Sequence, residues 1–297
     1  MKDLIIGGAS NYTWDQLKFW INSIKKSGFD GDVVLVGTNL TKETITKLTE
    51  EGIILSLYGK ENEKGDIVAH ANGAPHVERF FYMWNYLMTA PVKYRQVITT
   101  DTRDVIFQSN PSEWLDNNLE NYRMVCSSEG MRYKNEPWNN QNMLDTFGSY
   151  FHNALKENTI FNVGVIAGDS DFVRDLLLSI FQMSINRPVP IVDQAVYNFL
   201  LNLTQYNLDT LCTDNTRDWA IQLGTTIDAV KAGSGDIGLN LGTNPSSIIQ
   251  YQMKYEDVQP VIEDGIVKTP EGSPYTIVHQ YDRIPFLKEK IEEIYGA

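Results

Sequence analysis

Val97-Ile98-Thr99-Thr100-Asp101-Thr102-Arg103-Asp104-Val105-Ile106-Phe107 is the stretch on which the reading of this chain turns. Arg95 to Thr100 is rich in β-branched residues and reads as a strand that stops at Asp101. Two carboxylates and a guanidinium then follow before a second apolar run begins. In open α/β sheets, ligands collect outside the carboxyl ends of the strands, which is where this charge would lie. Carboxylate oxygens are the hard ligands that Mg2+ and Mn2+ prefer, and a cation there could neutralise a bound diphosphate. An exposed turn with an Asp helix cap and an Arg ion pair accounts for the same residues without a ligand.

Upstream, strand and helix patterns alternate. Leu4 to Gly8 is an apolar run closed by glycines, and Trp14 to Lys26 carries Trp14, Leu17, Ile21 and Ile24 at helical spacing. Asp32 to Gly37 reads as a strand, Lys42 to Glu51 as a helix, Gly52 to Leu57 as a third strand, and Val77 to Met88 as an aromatic-rich helix. Such alternation implies a mostly parallel sheet covered by helices. Downstream, the pattern predicts strands at Arg123 to Ser127 and Thr159 to Ala167 and helices near Gln141 to Leu155, Asp171 to Ser184 and Asp193 to Leu203. Mixed topology is expected there. Thr213 to Gln250, rich in Gly, Asn, Thr and Ser, reads as long loops, and the chain ends in a strand at Tyr275 to His279 and a helix from Ile284 to Tyr295.

Composition narrows the function. The 297 residues are 42% hydrophobic and 11% aromatic, enough for one large domain with a substantial core. With 25 Lys and Arg against 38 Asp and Glu, the net charge is −13, which argues against nucleic acid as a partner. Two cysteines, Cys126 and Cys212, exclude a disulfide framework and a Cys-rich zinc site and fit a reducing compartment. No uncharged apolar run reaches the ~18 residues of a membrane span, and the opening apolar run is too short for a signal peptide. A cytoplasmic location is expected.

Four further segments carry chemistry. Gly7-Gly8-Ala9-Ser10-Asn11-Tyr12 follows the first strand with small residues that let a ligand approach the backbone, and Tyr12 could stack on a base; no dinucleotide fingerprint or phosphate-binding lysine motif is present. Phe161-Asn162-Val163-Gly164-Val165-Ile166-Ala167-Gly168 puts an amide, donor and acceptor at once, two residues from a glycine with room for a ring. Val192-Asp193-Gln194-Ala195-Val196-Tyr197-Asn198 places a carboxylate in the first turn of a helix. Ile277-Val278-His279-Gln280-Tyr281-Asp282-Arg283 ends a strand with an imidazole suited to Mn2+ beside carboxylates.

Taken in order, these segments resemble glycosyltransferases of the GT-A type, and the Asn-x-Gly and Asp-Gln segments resemble the glycogenin-like members. The resemblance covers most of the chain. It departs at the Asp-x-Asp motif: here two residues separate the carboxylates, so Arg103 stands where a second aspartate would follow Asp101. The resemblance implies an α/β, Rossmann-like GT-A fold in a single domain of residues 1–297, with residues to about 105 binding a nucleotide-sugar donor and the rest an acceptor. It implies a glycosyltransferase acting on a nucleotide-diphosphate sugar, UDP most commonly, and a glycan or other hydroxyl acceptor. Asp101, Asp104 and His279 would hold Mn2+ or Mg2+. Gly8, Ala9, Asn11, Arg79, Asp101, Thr102, Arg103, Gly164 and Gln194 would contact the donor. Asn162 and Asp193 would address the sugar, Asp193 as a base or as a stabiliser of oxocarbenium charge, with the Asp-Gln segment leaning toward retention. Glu129, Trp138 and Trp219 could line an acceptor pocket. A haloacid-dehalogenase-type phosphatase and a non-catalytic nucleotide-sugar or carbohydrate binding protein of the same fold are the alternatives.

Overall fold

A computed structural model describes residues 1–70, 73–189, 191–226 and 256–296. The first half is β1 (Leu4–Ser10), α1 (Trp14–Lys26), β2 (Asp32–Thr38), α2 (Lys42–Glu50), β3 (Ile54–Leu57), a small ribbon of β4 (Lys60–Glu61) and β5 (Ile67–Val68), α3 (Pro75–Thr89), β6 (Gln96–Thr100) and β7 (Val105–Phe107). Next come α4 (Pro111–Asn118), β8 (Met124–Arg132), α5 (Pro137–Leu155), β9 (Thr159–Asp169), α6 (Ser170–Ser184), α7 (Asp193–Leu201) and α8 (Thr204–Asn207). The last part holds β10 (Thr210–Thr213), β11 (Ala220–Gln222), α9 (Leu223–Thr226), β12 (Val261–Glu263), β13 (Ile266–Lys268), β14 (Ile277–His279) and α10 (Pro285–Tyr295).

The central sheet has seven strands in the order β10-β8-β9-β6-β1-β2-β3. β9 is antiparallel to both β6 and β8, and the remaining pairs are parallel. The expected mostly parallel, mixed sheet is therefore found. Both of its faces are covered. On one, α3, α6 and α7 bury Phe80, Met83, Leu176, Ile180, Val196 and Tyr197 against the strands. On the other, α1 presents Leu17, Ile21 and Ile24 of the stripe read from its spacing together with Trp20, while Trp14 of that stripe is only partly buried. Burying an indole of ~200 Å² contributes on the order of 5 kcal/mol, and the Trp20 N–H is satisfied by Thr100 Oγ1 at 2.8 Å. That bond ties α1 to the last residue of β6.

A second sheet, β11-β14-β7, explains the position of the site. The chain leaves the central sheet at Thr100 and enters the second at Val105, so Asp101 to Asp104 span the junction. β14 runs antiparallel to β7 with His279 opposite Val105, which brings a residue near the end of the chain to the aspartate turn. The loop reading of Thr213 to Gln250 is corrected in part: Ala220 to Gln222 forms β11, a buried strand too short to show a period, and residues 227–250 lie outside the described residues. The strand expected at Arg123 to Ser127 runs on to Arg132 through irregular pairing with β9, which carries Glu129 inward. Among the described residues no helix is long and apolar enough to cross a membrane.

Candidate functional site

The carboxyl end of β6, the amino-terminal half of the antiparallel β9 and the start of α7 converge on one cluster. The backbone N–H of Asp101 donates to Gly164 O at 2.9 Å, joining the aspartate turn to the Asn-x-Gly strand. A methyl group on Gly164 would stand 2.5 Å from His279 Cε1 and 2.8 Å from Asn162 Oδ1, so only glycine admits the imidazole here. Gly8 has a similar role: a Cβ there would meet the Cβ of Arg79 at 2.9 Å, and its absence lets α3 lie close over β1.

His279 is fully enclosed, and burial holds its pKa below the usual histidine value. Its Nδ1 lies 2.6 Å from Gln222 Oε1, whose amide nitrogen is taken up by Ser127 Oγ at 2.8 Å. The proton of the neutral ring therefore sits on Nδ1 and leaves a bare lone pair on Nε2. Nε2 points at acceptors: Asp101 Oδ2 at 3.4 Å and Asp104 Oδ1 at 3.7 Å. It has no hydrogen-bond partner among the described residues. Three lone-pair donors within 4.8 Å of one another, two of them anionic, form a set that a hard divalent cation completes. The donor chemistry thus fits Mn2+ or Mg2+. Both aspartates of the turn belong to it.

Arg79 bridges two carboxylates, with Nη1 on Asp101 Oδ1 and Nη2 3.0 Å from Asp193 Oδ2. Asp193 is 3% exposed. Asn162, 4% exposed, is held at both ends of its amide: Oδ1 accepts from Gly164 N–H at 2.7 Å, and Nδ2 donates to Glu129 Oε1 at 2.7 Å and toward Gln194 Oε1 at 3.3 Å. Gln194 Nε2 continues to Asn139 Oδ1 at 2.8 Å, and Glu136 caps the helix that carries Asn139. Burial pushes the Glu129 carboxyl up to about 7, although the Asn162 amide works in the opposite direction.

The fold therefore gathers Gly8, Arg79, Asp101, Thr102, Asp104, Asn162, Gly164, Asp193, Gln194 and His279. Thr102 Oγ1 donates to Gly8 O at 2.9 Å and locks the turn to β1. Two residues expected at the donor lie apart from the cluster: Ala9 packs into the apolar layer beneath α1, and Asn11 is exposed, with φ 59° and its amide on Ser10 Oγ. The Arg103 guanidinium, 41% exposed, lies at the edge of the cluster, 3.9 Å from Asp104 Oδ2 and 3.5 Å from Asp282 Oδ2. Trp219 is no pocket wall: it is wholly buried, its ring 4.6 Å from that of Trp114. Trp138 is 43% exposed, and Tyr12 is half-buried on the α1 side. Sequence reasoning missed Gln222, hidden in a stretch read as loop, as well as Asn139 and Glu136, which look like ordinary helix-start residues.

No protein-family model matches the chain, and no curated protein does. Among solved structures, the chain is similar to an active-site mutant of LgtC, with a TM-score of 0.56 and 12% identity over 99% of this chain and 95% of that one. It is likewise similar to the galactosyltransferase LgtC in complex with donor and acceptor sugar analogues, with a TM-score of 0.55 and 13% identity over the same shares. With the strand order above, this similarity establishes the architecture: the chain has the GT-A fold, a Rossmann-like, mostly parallel sheet flanked by helices.

Proposed function

We propose that the chain is a glycosyltransferase that moves a sugar from a nucleotide-diphosphate sugar, a UDP-sugar first, to a hydroxyl of a glycan or similar acceptor. The observation that carries this reading is the buried His279 Nε2 lone pair facing Asp101 and Asp104 at the carboxyl edge of β6, in a fold shared with a galactosyltransferase. Asp101, Asp104 and His279 would hold Mn2+ or Mg2+. When bound, the ion supplies positive charge against the donor diphosphate and its leaving group.

The chain's own residues would divide the remaining work. Gly8 leaves backbone open to the donor, and residues to about 105 form the donor half of a single domain. Arg79 fixes Asp193 so that its carboxylate faces the sugar and stabilises positive charge as the glycosidic bond breaks. A buried carboxylate already ion-paired is better suited to that role than to removing a proton from an incoming hydroxyl, which favours retention of configuration. Asn162 acts by orienting Gln194 and Glu129, since its amide is engaged at both ends. The phosphatase alternative needs an aspartate free to attack, whereas Asp101 is ion-paired through Oδ1 with Arg79.

Incubation with UDP-glucose, UDP-galactose or another UDP-sugar, Mn2+ and a panel of sugar acceptors tests the reading. Release of UDP with formation of a glycoside, abolished by a chelator, is expected. Binding of UDP-sugar with no turnover on any acceptor or on water would instead leave the non-catalytic binding protein.

A further inference from the structure

The two cysteines of this chain are 86 residues apart in sequence, and the fold sets them side by side. β8 and β10 pair in parallel with Cys126 directly opposite Cys212, and their Sγ atoms are 3.5 Å apart. Residues facing each other on neighbouring strands have Cα atoms near the ~4.8 Å strand spacing, inside the about 4.4–6.8 Å that disulfides span. The two thiols differ in setting. Cys212 is exposed on the edge strand, and the Cys126 S–H directed at it favours its thiolate and lowers its pKa. Cys126 is wholly buried, which pushes its thiol up, and its sulfur faces the Tyr197 hydroxyl. One cysteine is thus placed to meet a reagent from solvent, and the other to resolve what forms.

We propose that Cys126 and Cys212 form a redox-responsive dithiol that closes to an intramolecular disulfide when a low-molecular-weight disulfide reaches the exposed Cys212. In the first exchange the Cys212 thiolate attacks one sulfur of the oxidant, breaks its S–S bond and releases one small thiolate. In the second, Cys126 loses its proton and attacks Cys212 Sγ, expelling the other half of the oxidant as a second thiolate. Two protein thiols are oxidised, one small disulfide is reduced, and the two protons go to the released thiolates. The new bond would pin the edge strand β10 to β8, three residues before Glu129, and would draw the Cys126 sulfur from Tyr197, which lies one helical turn after Asp193.

Equilibrating the full chain in glutathione buffers from reduced to oxidised, then quenching with acid, unfolding and labelling with maleimide, tests this. The reduced protein should take two labels and the oxidised protein none, with a peptide linking Cys126 to Cys212. Cys212→Ser, a change at an exposed edge position, should keep its single label on Cys126 in the same oxidised buffer. Three results would each overturn the proposal: two labels retained under oxidising conditions, glutathione held on Cys212 while Cys126 stays free, or a Cys212 link between two chains.

Discussion

The Nδ1 of His279 lies 2.6 Å from Gln222 Oε1, and this contact decides which face of the imidazole is bare. Without it the ring could place its proton on Nε2, toward the aspartates, and be a donor rather than a ligand. Gln222→Leu should therefore weaken Mn2+ binding about 10–100-fold, read by calorimetry, with the far-ultraviolet circular dichroism unchanged. Unaltered affinity would remove Gln222 from the site.

Arg79 faces a different test. It is the ion-pair partner of Asp193 among the described residues, and the pair is largely buried. Arg79→Met should cost about 3 kcal/mol in urea unfolding, because a buried carboxylate loses its counter-charge. Adding Asp193→Asn should recover part of that loss, so that the double variant falls short of the sum of the singles. Additive losses would show that the two side chains do not interact.

Glu129 predicts a pH dependence. Its carboxyl rises from 4.5 to about 7 on folding, so between those values the unfolded chain releases a proton that the folded chain keeps. Stability then falls as pH rises through that window, by on the order of 3 kcal/mol, with the full contribution present below it. Glu129→Gln should flatten this slope. Equal slopes for both proteins, measured by unfolding from pH 4 to 8, would contradict the buried, proton-holding carboxyl.

Gly164→Ala addresses the packing. The added methyl would collide with the His279 ring and Asn162 Oδ1, so a loss of about 1–3 kcal/mol should accompany loss of Mn2+ binding. A variant that binds the ion as the parent does would show that the imidazole is not fixed against this strand.

Much of this site could be read in the sequence because its residues follow strands. Asp101 and His279 each lie at the carboxyl end of an apolar run, where an α/β sheet exposes side chains, whereas Gly164 lies inside β9, two residues after Asn162. What the sequence could not show is what depends on pairing between distant segments. His279 reaches Asp104 because β14 pairs with β7, and a three-residue strand has no period to read. Gln222 is positioned by the same small sheet, in a stretch whose glycines and threonines suggest a loop. The partners of the Asn162 amide, Gly164 on its oxygen and Glu129 and Gln194 on its nitrogen, are set by three different elements that no local pattern links. Trp219 failed as a pocket residue for a simpler reason: an aromatic in a polar stretch can still fill the core, as it does against Trp114.

The most direct measurement is calorimetric titration of UDP, GDP and CDP into the protein, each with Mn2+ and with a chelator, alongside Asp104→Asn. A donor site built on Asp101, Asp104 and His279 predicts that one nucleotide binds with Mn2+, that the chelator abolishes the binding, and that Asp104→Asn weakens it at least tenfold. If no nucleotide binds under either condition, or if binding ignores both the chelator and the substitution, the metal-dependent donor site is contradicted.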